Sequence, residues 1–226
     1  MSLQTILSIS ESITVNDHKF AGQMMSRNMR ISTSEILTVQ PFQFALQPMN
    51  YLLYSQNRSV LSALRVADRI TEQYLNYAST GWVNYIAYQG NMSSAQAAAV
   101  TIDVASSGKI IVLNTLPAIG STLFIVKAGD FIQVGRYAYI ATANVTRGGG
   151  TTVSVPVHRS LIDAPTSGMT AVIGQYGTTV ALGGTTYTGI TFPVVVREYP
   201  TYKLVPMTND SFISWSGGFS ATEVVL

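Results

Sequence analysis

The 226-residue chain contains no cysteine. Disulfide scaffolds, thiolate metal sites, iron–sulfur clusters and cysteine nucleophiles are therefore excluded. Charge is scarce as well. Asp, Glu, Lys and Arg make up 11% of the residues, against about 25% in an ordinary soluble domain. That excludes a coiled coil and a charge-driven disordered chain. A net charge of +2 with no Lys/Arg cluster leaves no footprint of an independent nucleic-acid binder. No run of about 18 apolar residues occurs, so no membrane-spanning helix and no membrane partner are expected. The opening MSLQTILSISES lacks a basic start and a long apolar core, so no secretory leader is expected. What is abundant is apolar residues, at 47% of the chain. A weakly charged, β-rich chain of this kind suits a protein that covers much of itself with partners.

The chemistry-bearing residues are thinly spread. The two histidines, His18 and His158, lie far apart in the sequence. Among the eleven carboxylates only Asp68 and Glu72 form a near pair, and helical spacing predicts that they face solvent. A general acid/base pair needs two carboxyls in differently tuned surroundings, and no second motif supplies them. Zincin, nucleophile-elbow and phosphate-loop patterns are absent. Arg147-Gly148-Gly149-Gly150 lacks the Lys-Ser/Thr of a phosphate loop and reads as a hairpin tip. Asp130, after glycine in KAGD, reads as a turn-former, and His158 as a strand-end polar residue beside Arg159. No catalytic, metal or cofactor site is expected. The sequons at Asn57, Asn91, Asn144 and Asn209 are the chance product of a Ser/Thr-rich chain.

Periodicity gives a mainly β reading with one principal α-helix. Phe42, Phe44 and Leu46 share one face of a strand, with Gln43 and Gln47 on the other. Pro41 marks an edge or a bulge. The helix is expected over 56–75, with Ser55 as N-cap and Val60, Leu64, Ala67, Ile70 and Tyr74 along its apolar stripe. Residues 81–90 read as a short strand or loop with aromatic anchors, and 92–107 as a linker or a strand starting at Val100. From there to Tyr199, KIIVLN, TLFIV, DFIQVG, YAYIATANV, TTVSVPVH, AVIGQYG and FPVVVREY are strand candidates separated by glycine-rich turns. That rhythm predicts a small barrel or sandwich.

Arg27 and Arg30, then VQPFQFAL, a proline break, LLYSQNRSVLSALRVADRI and finally FISWSGGFSATEVV occur in an order that resembles the tail-tube-like proteins of long-tailed bacteriophages. The resemblance is to those forming rings at the baseplate end of the tube: tube initiators, hub or distal tail proteins. KAGDFIQVGRYAYIATANVTRGGGTTVSVPVHRSL is also similar to a module common in phage tail proteins. The resemblance implies a tail-tube-like β-barrel or sandwich over 1–100, completed by 200–226. A small Gly/Thr/Val-rich β-domain over 101–199 would be inserted into it. It further implies a non-enzymatic virion protein of the tail or baseplate, assembled in the host cytoplasm. Such a protein forms a homo-oligomeric ring, a hexamer being one size the resemblance admits. It guides tube assembly, contacts the tail tube and other baseplate proteins, and passes genomic DNA non-specifically through its lumen. No cofactor is implied. Arg27, Arg30, Phe42, Phe44, Trp215 and Phe219 are the expected interface residues. The hairpin near 20–46 and the C-terminal strand would form the inter-subunit sheet. The alternative is a glycan- or receptor-binding β-sandwich module whose site is either a stacking platform of Trp82, Tyr85 and Tyr88 or the Gly-rich loops. A glycan hydrolase fits the carboxylate spacing poorly.

Overall fold

The computed structural model describes residues 3–16, 21–25, 28–29, 31–35, 40–66, 70–78, 81–166, 168–177 and 179–225. The fold is mainly β, with curled sheets and a half-barrel.

A short helix, α1 (Gln4–Ser8), leads into β1 (Ser10–Asn16). Then follow β2 (Ala21–Met25), β3 (Ile31–Glu35), β4 (Gln43–Pro48) and β5 (Leu52–Leu53). The principal helix, α2 (Tyr54–Val66), is followed by β6 (Gln73–Asn76). The chain closes with β7 (Thr191–Glu198), β8 (Tyr202–Met207), β9 (Asp210–Trp215) and β10 (Phe219–Glu223). The main sheet runs β1-β4-β10-β7-β6, antiparallel throughout.

Period-two alternation decides which face of this sheet is inside. Phe42, Phe44 and Leu46 are all buried, and β10 sets Phe219 opposite Leu46 and Ala221 opposite Phe44. On β7, Phe192, Val194 and Val196 complete the face. Phe192 meets Phe42 and Phe44 edge-on, each with ring centroids 5.1 Å apart. Such T-shaped pairs add to simple burial because a positive ring edge meets a negative face.

The helix is shorter than its sequence pattern predicts. It is described over Tyr54–Val66, Ile70 lies in a bend, and Tyr74 lies in β6. Ala67 and Asp68 fall outside the described residues. Ser55 lies inside the helix rather than at its cap. The cap comes from β9: the Ser55 N–H and hydroxyl donate to the Asp210 carboxylate at 3.2 and 2.6 Å. That satisfies a first-turn donor and places a negative charge at the positive end of the helix.

A second apolar core is built from the strand-rich middle, including Ile111, Leu113, Ile125, Val134, Tyr139 and Val155. The strand Phe131–Val134 is a wall common to both cores. Phe131 faces the first, while Ile132 and Val134 face the second. From the same strand the Gln133 side chain bonds the Thr191 backbone both ways, accepting from its N–H at 2.9 Å and donating to its carbonyl at 3.0 Å. Residues 191–198 thus belong to the main sheet, inside the segment that the sequence pattern assigns to the insertion. Tyr88, Met92, Ala97 and Val100, from before that segment, belong to the second core.

Candidate assembly surface

The expected interface residues divide sharply. Phe42, Phe44 and Phe219 are about 1% exposed and lie in the chain's own core, Phe219 also forming part of the wall of a surface groove. Arg27 and Arg30 lie outside the described residues, as does His18. Trp215 is 8% exposed and lines a surface groove. Of the expected assembly strands, β4 and β10 are interior to the main sheet. β4 is flanked by β1 and β10, and β10 by β4 and β7, so neither offers an edge. Pro41 precedes β4 and does not mark it as an edge strand. Among the described residues the main sheet ends at β1 on one side and β6 on the other.

Among the described residues three apolar surfaces stand open. The first is the β2–β3 hairpin, a two-stranded sheet with five registered pairs from Ala21↔Glu35 to Met25↔Ile31. It exposes Met24, Met25 and Met29 at 72, 69 and 84%. The second is β8, the outer strand of the β8-β9-β5 sheet, which exposes Leu204, Val205 and Met207. An outer strand carries unpaired backbone donors and acceptors, a template for another strand.

The third is the groove between α2 and the β8–β9 hairpin, with a volume of about 490 Å³. Leu61 and Leu64 form its helical side, and Tyr199, Tyr202, Trp215 and Phe219 its aromatic side. The rings form a ladder. Tyr202 meets Trp215 at 5.4 Å, Trp215 meets Phe219 at 5.8 Å, and Tyr199 meets Phe219 at 5.9 Å. The Trp215 indole N–H is buried and has no acceptor among the described residues. Buried donors are nearly always bonded, so an unbonded one asks for an explanation.

The titratable residues singled out in the sequence are structural acceptors. Asp130 is fully buried and takes the Gln89 and Lys127 N–H groups, one on each oxygen, at 2.8 Å. Burial raises its pKa, against the pull of those two bonds. His158 accepts the Ile140 N–H on Nδ1 at 3.0 Å, its ring 5.4 Å from Phe42. Glu72 is not a solvent-facing helix residue; it follows the helix and pairs with Arg136. The Arg147–Gly150 segment is not a hairpin tip. The strands on either side, Val145–Thr146 and Val153–Pro156, pair with different partners, and the Arg147 side chain ties the loop to the Pro117 and Gly150 carbonyls. Among the described residues no group of three His, Asp or Glu could hold a metal ion.

The proposed stacking platform is not an open surface. Tyr88 is buried, donating its hydroxyl to the Ile125 carbonyl at 2.6 Å. Trp82 and Tyr85 are partly buried against the first core.

Arg159 is the residue that sequence reasoning missed. Its guanidinium is buried and bonds the Glu223 carboxylate and the Gln40 and Ala138 carbonyls. It also lies 4.8 Å from the Phe42 ring centroid and 5.2 Å from that of Tyr139. A buried Arg has no sequence signature when its carboxylate partner is 64 residues away. Compared with known proteins, the chain matches no family model and no curated protein.

Proposed function

We propose that this chain is a non-catalytic structural subunit that closes into a ring of identical copies at the baseplate end of a bacteriophage tail tube. The observation that carries the ring is the half-barrel main sheet, which ends on two outer strands, β1 and β6, among the described residues. A sheet with open ends is costly in isolation and complete when the next copy continues it. Contacts between two different surfaces of identical chains generate a ring when the rotation closes. The 11% charged content suits a protein whose surface becomes interface. The placement in a phage tail rests on the sequence resemblance. In that role the ring guides tube assembly and lets DNA pass through its lumen.

The test is light scattering and negative-stain microscopy of the purified chain, then addition of tail-tube subunits. Closed rings that seed tube growth are expected. A monomer at every concentration would overturn the ring, and rings that never nucleate a tube would overturn the tail assignment.

A further inference from the structure

We propose that a trough running from the α2 groove onto the polar face of the main sheet binds a neutral oligosaccharide. This site goes beyond the ring reading and does not depend on it.

The groove continues past its aromatic side. A second depression, of about 390 Å³, shares Tyr199, Pro200 and Thr201 with it and passes over Glu198, Ser216 and Gly217. A third, of about 420 Å³, shares Glu198 and Gly218 with the second. It crosses β1, β4 and β10 at Ser12, Thr14, Gln47 and Ser220. Each volume falls within the usual span of small-ligand sites.

The chemistry changes along this path. One end offers the half-buried rings of Tyr199 and Tyr202. The other offers hydroxyls, an amide and one carboxylate. Glu198, which is exposed, is the only charged residue that lines any part of the trough. Without Lys or Arg, nothing there would offset a phosphate, a sulfate or a ligand carboxylate. A wholly apolar ligand would strip water from the polar end and give it no bonds in return. A sugar chain matches both ends. The C–H face of a sugar ring packs on an aromatic ring, and its hydroxyls donate to Glu198 and exchange bonds with Ser, Thr and Gln side chains. The polar end draws on four strands, β1, β4, β7 and β10, and follows none of them. It therefore offers no run of backbone groups for a peptide strand to pair with.

The two glycines in the middle of the trough supply an independent observation. Gly218 is explained by packing, because a Cβ there would lie 2.9 Å from the Leu46 carbonyl oxygen. Gly217 has no such reason. Its φ lies outside the left-handed region, and a Cβ would meet nothing within 4 Å. A glycine that neither sterics nor conformation requires costs backbone entropy. What its bare backbone provides is room at the point where a ligand must pass from the aromatic end to the polar end.

Trp82 and Trp215 are the chain's two tryptophans. Trp82→Phe leaves Trp215, in the wall of the groove, as the sole indole reporter. Its emission is titrated with cellohexaose, maltohexaose and chitohexaose, and calorimetry of the unaltered chain with the same sugars is the second measurement. Saturable binding of at least one sugar is expected. Gly217→Leu should weaken that binding by at least about tenfold, with the melting temperature held or raised. Glu198→Gln should weaken it severalfold. Silence from all three sugars in both measurements would overturn the proposal, as would unchanged affinity in Gly217→Leu. Saturable binding of a proline-rich peptide and of no sugar would give the trough to a protein partner and overturn it too. None of these readouts is the oligomeric state, so rings that form or fail leave this site to be judged by itself.

Discussion

The guanidinium of Arg159 chelates the carboxylate of Glu223, with Nη2 to Oε1 at 2.7 Å and both side chains at most 2% exposed. Glu223 also accepts the Phe42 N–H at 3.0 Å. One ion pair therefore joins the middle segment, the last strand of the main sheet and the entry to β4. Arg159→Met leaves a buried carboxylate without its counter-charge. Breaking a buried pair from one side costs about 3–5 kcal/mol. The double variant Arg159→Met/Glu223→Leu is expected to recover a large part of that loss, because no lone charge remains. Urea denaturation of the two single variants and the double variant measures the coupling. Additive losses would show that the pair acts as two independent residues.

Asp130 uses both oxygens as acceptors. Asn keeps the shape but turns one acceptor into a donor facing an N–H. Asp130→Asn is therefore expected to cost about 1–3 kcal/mol through one unsatisfied buried amide. A melting temperature equal to that of the wild type would refute this account of the KAGD turn.

Burial pushes the phenols of Tyr88 and Tyr139 up to about 12. Both ionise near 10 in the unfolded chain. An acid with a raised folded pKa stabilises the fold below the unfolded value, and that stability drains away between pH 10 and 12. Each tyrosine contributes about 2–3 kcal/mol to the alkaline loss. Stability measured from pH 9 to 12 should fall steeply. Tyr139→Phe should flatten the limb at the expense of the bond from the Ile162 N–H. An unchanged slope in that variant would assign the loss to other groups.

The hydroxyl of Ser55 and two backbone N–H groups hold the Asp210 carboxyl below its usual range. A lowered carboxyl pKa gives stability above the unfolded value, and that stability is lost as pH falls through the folded value. The first turn of α2 should loosen in acid at that point, and Asp210→Ala should loosen it at neutral pH. Hydrogen exchange at the Ser55 amide reads this directly, and equal rates in wild type and variant would dismiss the cap.

Strand alternation was legible wherever one face is apolar and the other polar. Phe42, Phe44 and Leu46 are buried as their spacing predicts, and the seven middle strand candidates each hold a strand. What failed did so for identifiable reasons. The pattern Val60, Leu64, Ala67, Ile70, Tyr74 continues past the helix end because β6 also needs apolar residues, so Tyr74 mimics another turn. AVIGQYG reads as one strand, but Gly174, at φ 57°, folds it into a hairpin. The helix Ser94–Ala98 was readable from its Ser93–Gln96 capping box, hidden in a run of alanines. The groove was not readable at all. Leu61, Tyr199 and Trp215 come from three separate segments, and only the sheet topology brings them together.

The seating of β10 between β4 and β7 has a bearing on how the protein is made. Phe42 waits for a bond from a residue 181 positions later. During synthesis the N-terminal strands emerge first, yet the centre of their sheet arrives last. Closing so long a loop is slow compared with local pairing. The middle strands can collapse early, while β4 and β7 flank an empty slot until β10 leaves the ribosome. A nascent or truncated chain thus lacks the strand that shapes the half-barrel. The half-barrel therefore becomes complete only once residues as far as Glu223 have been made.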